Sequence, residues 1–181
     1  MNKKEELEKL YKEWVHCEAC ESCLKSYFVR GYGNPDSDIM IIGEAPSNKG
    51  NEKKIPFSGR GGTLFFSILD KSFIKKEDFF ITNILHCFPG EHRKPKKSEI
   101  LNCQEPLILE IAIIQPKIIL CLGRTARENL VGNYYGAAVY FMKHPAYYLR
   151  SGKIMILRNE IFKFIKFYGD LLKNEKQLNL L

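Results

Sequence analysis

The sequence contains no apolar run of membrane-spanning length. It opens with MNKKEELEKLYKEW, charged throughout and unlike the basic-then-apolar start of a secretory signal. Both absences argue against a membrane protein, and a soluble, cytoplasmic protein is expected. Internal repeats and low-complexity linkers are also missing, which excludes solenoids and arrays. The 181 residues, 45% of them hydrophobic, are enough to bury a core and are expected to form one domain. Acidic residues are in deficit: 21 Asp and Glu stand against 28 Lys and Arg, a net charge of +7. That balance suits a polyanionic partner, with DNA or RNA first. Taken alone it also describes a merely basic soluble protein.

Without a secretory signal, the six cysteines do not read as a disulfide framework, and a metal or cluster site is the better reading. Cys17-x-x-Cys20 lies ahead of the first strand, and Cys87 and Cys103 flank a basic loop. Four thiolates suit tetrahedral zinc or a cubane iron–sulfur cluster equally, and spacing alone does not separate the two. Cys121 falls inside a strand and reads as a small core residue. Cys23 is ambiguous, because Cys20-x-x-Cys23 is a second CxxC.

Apolar periodicity predicts a helix over Lys3–His16, with Leu7, Leu10, Tyr11 and Trp14 on one face. Turn residues follow up to Asp36, including Gly31, Gly33, Asn34 and Pro35. Short apolar runs predict buried strands at Ile39–Ile42 and Asp78–Leu85 and further strands at Lys117–Gly123 and Ala137–Met142. Between them, helices are predicted over Gly62–Asp70, Ser98–Gln115 (bent at Pro106) and Arg124–Val131. A last helix is predicted over Asn159–Lys173, and Ser151–Leu157 reads as either strand or helix. The alternation predicts an α/β fold, a three-layer αβα sandwich around a central four-stranded parallel sheet. Within one domain, an N-terminal segment (1–36) precedes an α/β core (37–150) and a helical tail (151–181).

Chemistry concentrates after the first of these strands. The strand stops at Gly43, and Glu44-Ala45-Pro46 leads into a polar loop ending in Pro56-Phe57-Ser58-Gly59-Arg60-Gly61-Gly62. A strand that ends in a glycine-punctuated loop before a helix is the usual ligand mouth of an open α/β sheet. An ordinary connection has the same glycines, so order must decide. GEAP followed by PFSGRGG resembles the first active-site motif of the uracil-DNA glycosylase superfamily, specifically its iron–sulfur family 4. ITNILHCFPGEHRKP resembles the second landmark, VYFMKHPAYYLR the third, and Gly31-Tyr32-Gly33-Asn34-Pro35 the stretch ahead of the first.

The resemblance implies an enzyme that flips uracil out of DNA and hydrolyses its N-glycosidic bond, leaving an abasic site. It carries Glu44 and His144 over as catalytic residues, Glu44 acting on water or on the oxocarbenium-like sugar. Gly43, Ala45, Phe57, Asn83 and His144 would hold the base. The chemistry agrees, since one fixed carboxamide can pair with both O4 and N3–H of uracil and would reject cytosine. Ala45 stands where other branches have an aspartate, so activation of water should be weak and the mechanism largely dissociative. The resemblance also implies a structural 4Fe–4S cluster on Cys17, Cys20, Cys87 and Cys103, with Cys23 as a replacement ligand in play.

The loop after GEAP departs from the family. Its usual glycine and acidic run is replaced by Ser47-Asn48-Lys49-Gly50-Asn51, which should approach phosphate more easily and exclude thymine less well. DNA contacts are expected from Arg93, Lys94, Lys96 and Lys97 in the basic loop, and from Lys143 and Arg150. Leu149 is expected to fill the gap left by the extruded nucleotide. Partners are therefore DNA, single- or double-stranded, with the protein acting as a monomer and away from membranes. The other three histidines, His16, His86 and His92, read as surface or satisfied residues. The rival readings are the same fold acting on another deaminated base, a noncatalytic iron–sulfur DNA-binding protein, and a zinc nucleic-acid module.

Overall fold

The computed structural model of the chain describes residues 1–72, 74–90, 93–130, 132 and 134–178. Its sheet has the strands β1 (Tyr32–Gly33), β2 (Ile39–Gly43), β3 (Phe79–Asn83), β4 (Ile118–Leu122) and β5 (Ala138–Met142). Their order is β1-β3-β2-β4-β5, parallel from β3 through β5, with β1 antiparallel on the β3 edge. Every residue of β2, β3 and β4 is buried, as continuous apolar runs require when helices cover both faces.

The helices are α1 (Lys3–Trp14), α2 (Glu21–Lys25), α3 (Asn48–Lys53), α4 (Arg60–Leu69) and α5 (Lys97–Asn102). They continue with α6 (Gln104–Ile114), α7 (Arg124–Asn129), α8 (Pro145–Arg150) and α9 (Ile154–Leu178). Side chains alternate across a strand, so each strand feeds two cores. Ile39, Ile41, Phe79, Ile81 and Leu120 pack with Phe65 of α4 and Phe164 of α9. Met40, Ile42, Phe80 and Cys121 pack with Leu7 of α1 and Ile111 of α6. Cys121 is thus the small core residue expected, with burial pushing its thiol up to about 12.

Four local departures from the sequence reading have physical causes. The sheet has a fifth strand, because Tyr32 and Gly33, in the stretch read as turn, pair with Ile81 and Phe80. The predicted helix over 98–115 is two helices, broken at Cys103 (φ −95°, ψ 2°). Pro106 does not bend it, since it lies in the first turn of α6, where no intrahelical N–H is missed. The polar loop after Pro46 contains α3, started by Ser47, whose hydroxyl accepts from the Gly50 N–H at 3.1 Å. Residues 154–157 open the long α9: Ile154, Met155 and Ile156 stay exposed while Leu157, Ile161, Phe164 and Ile165 form its buried stripe. Among the described residues no helix is long and apolar enough to cross a membrane.

Candidate active site and cysteine nest

The C-terminal ends of β2, β3 and β5 converge. Gly43 and Asn83 are register partners at the ends of β2 and β3. A Cβ on Gly43 would stand 2.6 Å from Asn83 Oδ1 and 2.7 Å from Phe57 Cζ, so only glycine lets the two side chains meet there. Phe57 is held at φ 57°, a left-handed conformation rare for an aromatic residue. Gly62 permits this, because a Cβ on it would collide with the Phe57 carbonyl oxygen.

His144 caps the N-terminus of α8, and its ring lies 6.0 Å from that of Phe57, centroid to centroid. Phe57, Asn83, His144, Leu149, Arg150 and Lys49 line one cavity of about 540 Å³. Asn83 is 3% exposed, and its carboxamide has no hydrogen-bond partner among the described residues. The carboxamide faces the cavity, where a ligand can meet it.

The backbone fixes the tautomer of His144. The Ala146 N–H donates to Nδ1 at 3.2 Å, so Nδ1 must carry the lone pair and Nε2 the proton. Burial pushes the imidazole pKa below its ordinary value, against an opposing pull from Glu44 and with a smaller push from Arg150. The ring is therefore neutral near pH 7, with Nε2–H as its donor. Glu44, at the end of β2, accepts a short hydrogen bond at Oε2 from Thr125 Oγ1. Thr125 was missed in the sequence. The only sign of it was that Gly123-Arg124-Thr125 follows a strand as Gly43-Glu44 does.

A second constellation lies beyond the opposite core. Cys23 Sγ stands 3.1 Å from Cys20, 3.6 Å from Cys17 and 3.4 Å from Cys87. Cys103 is close enough to Cys17 and Cys20 to act on their charge. The helix break places Cys103, and an isolated bridge between Phe28 and Cys87 fixes the third segment. Burial holds the Cys17 and Cys20 thiols up at about 11. The contact with Cys87, followed by burial, raises Cys23 further. Soft thiol donors converging from three segments fit a charged iron–sulfur group, whose binding would displace their protons. Among the described residues no group of three or more His, Cys, Asp or Glu is arranged to hold a single metal ion.

Behind the nest, His86 lies in the core and not at the surface, with its Nε2 satisfied as expected. It is fully buried and stacked on Phe28 at 4.8 Å, with Nε2 3.2 Å from Glu110 and 3.3 Å from Thr82. Its Nδ1 has no partner among the described residues. Burial pulls its pKa down, but Glu110 and, after it, Cys103 prevail and raise it to about 10. His16 is exposed as expected, and His92 lies outside the described residues.

The basic loop divides. The Arg93 guanidinium grips the buried Glu99 with bonds of 2.7 and 2.8 Å and also reaches Ser22 of α2 at 3.1 Å. Lys96 pairs with Glu21 at 3.1 Å, while Lys94 and Lys97 are exposed. Lys143 lies over the Tyr147 ring at 4.6 Å.

Residues 30–168 match the model of the uracil DNA glycosylase superfamily, which is three quarters of the chain and includes both ends of the cavity. The chain belongs to that superfamily. Within it, the chain is similar to family 4. It is 34% identical over 125 residues to a type-4 uracil-DNA glycosylase of Archaeoglobus fulgidus, covering 68% of this chain and 63% of that protein. A type-4 uracil-DNA glycosylase of Thermotoga maritima is 34% identical over 168 residues, covering 83% and 88% respectively. One of Sulfurisphaera tokodaii is 35% identical over 126 residues, covering 68% and 57%. The alignments thus span less than two thirds of the Archaeoglobus and Sulfurisphaera proteins and most of the Thermotoga one.

Proposed function

We propose that this glycosylase-superfamily chain excises uracil from DNA by monofunctional hydrolysis. The observation that carries the reading is a neutral imidazole whose Nε2–H is free beside an unpartnered amide and an aromatic ring. An extruded uracil would lie against Phe57 and present O4 and N3–H to Asn83. As the N-glycosidic bond breaks, electrons pass to uracil N1 and O2. His144 Nε2–H donates to O2 and strengthens its hold as that charge grows, which lowers the barrier by ~3 kcal/mol. Glu44, steadied by Thr125, faces the positive sugar and the water that adds to C1′. Uracil leaves as an anion, and the proton released by the water that adds to C1′ passes through solvent to neutralise it.

Cys17, Cys20, Cys87 and Cys103 are the residues proposed to hold a 4Fe–4S cluster. When bound it would supply no redox step, only a rigid joint between the N-terminal segment, the end of β3 and the start of α6. Cys87→Ser protein purified under argon should then contain much less iron than wild type. Equal iron would remove Cys87 from the ligand set.

The test of function is excision from oligonucleotides bearing uracil, hypoxanthine or a thymine mismatch, single- and double-stranded, read by alkali cleavage. Uracil strands should be cleaved, and His144→Ala should lower the single-turnover rate by about 10²–10³-fold. Uracil strands left alkali-resistant by iron-replete protein would overturn the reading.

A further inference from the structure

Helix α8 divides two cavities. Ala146, Leu149 and Arg150 face the catalytic one, and Tyr147 and Tyr148 face a second of about 560 Å³. Four basic side chains line this second cavity, Arg124, Arg127, Lys143 and Lys153, against a single acid, Glu160. Glu160 is already paired with Lys163 at 3.0 Å, and Arg124 has Glu128 at 3.6 Å. Among the described residues Arg127, Lys143 and Lys153 have no carboxylate partner.

Two of the cations sit on aromatic rings that remain open to solvent. Arg127 lies over Phe141 at 5.0 Å and Lys143 over Tyr147 at 4.6 Å. Phe141 is 42% exposed, on the outer strand of the sheet. An open ring beside unneutralised cations offers a nucleobase a stacking surface and its phosphates a counter-charge. An apolar peptide would cover the rings but leave the cations desolvated without counter-charge, which is expensive. A nucleotide satisfies both, and the cavity has the size of a small-ligand site.

We propose that this cavity binds a nucleotide of the uracil-containing DNA strand that lies beyond the immediate neighbours of the excised one. Its base stacks on Phe141, and its phosphates pair with Arg127 and Lys153. The inference rests on the reading of the protein as a DNA glycosylase, but its test does not require the chemistry. Uracil-free, fluorescein-labelled single strands are titrated with wild type, Phe141→Ala and the double variant Arg127→Gln/Lys153→Ala. Fluorescence anisotropy is followed at several salt concentrations, and circular dichroism checks each fold.

Phe141→Ala is expected to weaken binding about tenfold, as loss of one base stack does. The double variant should lower the slope of log K against log salt by about 1.4, for two phosphates on a single strand. Excision of uracil from a trinucleotide, too short to reach across α8, should keep the wild-type kcat in all variants. Wild-type affinity and salt slope in folded variants would overturn the proposal. Loss of kcat on the trinucleotide would also overturn it, by placing these residues in the catalytic cavity's machinery. Failure of the wild type to excise uracil would sink the glycosylase reading instead, while leaving the binding result readable.

Discussion

One hydrogen bond decides what His144 can do. Because a backbone N–H points at Nδ1, protonating that nitrogen would set two donors against each other. The imidazolium is disfavoured by this contact as well as by burial. The folded pKa therefore lies below the ordinary 6.5, and the active neutral form persists to lower pH than for a free histidine. Single-turnover excision should stay flat as pH falls through 6.5 and decline only below it. A decline centred at or above 6.5 would mean that the cationic ring is not disfavoured. Asn83, Phe57 and His144 could be found in the sequence because each sits in a motif of fixed order. The Thr125 hydroxyl on Glu44, the Ala146 N–H and the Arg93–Glu99 pair could not. The Ala146 and Arg93 contacts are local but depend on backbone geometry that residue types do not reveal, and Thr125 meets Glu44 only through space, across 81 residues.

At the scale of elements, a glycine at a strand end holds the pocket together. Adding one methyl at Gly43 would force apart Asn83 and Phe57 while leaving β2 its ladder, since alanine is tolerated in a strand. Gly43→Ala should cost about 1–3 kcal/mol of stability through overpacking. It should also raise KM for uracil-containing DNA more than a distant change of equal thermal cost. A thermal melt paired with steady-state kinetics separates the two effects, and an unchanged KM would mean that the rings relax without loss. The four parallel strands were legible because such strands read as apolar, β-branched runs, and their boundaries differ from the reading by a few residues at most, whereas the two-residue β1 was not. Helix α3 was not, because six polar residues closed by Lys54 at φ 54° carry no apolar period. Nor was the break before α6, where Cys103 interrupts a continuous helical pattern for a reason that lies in another part of the chain.

Across the whole molecule, the basic loop is tied from inside as well as bracketed by cysteines. Glu99, 1% exposed, receives the Arg93 guanidinium, the Ser22 hydroxyl at 2.5 Å and the Lys96 N–H at 2.7 Å. Arg93 foremost, against the penalty of burial, holds this carboxyl down at about 2 from its ordinary 4.5. A depressed carboxylate contributes stability in full above 4.5 and loses it as pH falls toward 2. Acid should therefore release α2 from the loop and α5 before the cores give way, since those cores are apolar. Limited proteolysis at stepwise pH should show cleavage near residues 93–97 rising between pH 4.5 and 2, ahead of the global unfolding seen by far-UV circular dichroism. Glu99→Gln has no carboxylate to protonate, so its loop should be cut faster at neutral pH and show no such rise. Identical pH profiles for the two proteins would mean that other carboxylates, and not Glu99, fasten the loop to the N-terminal segment.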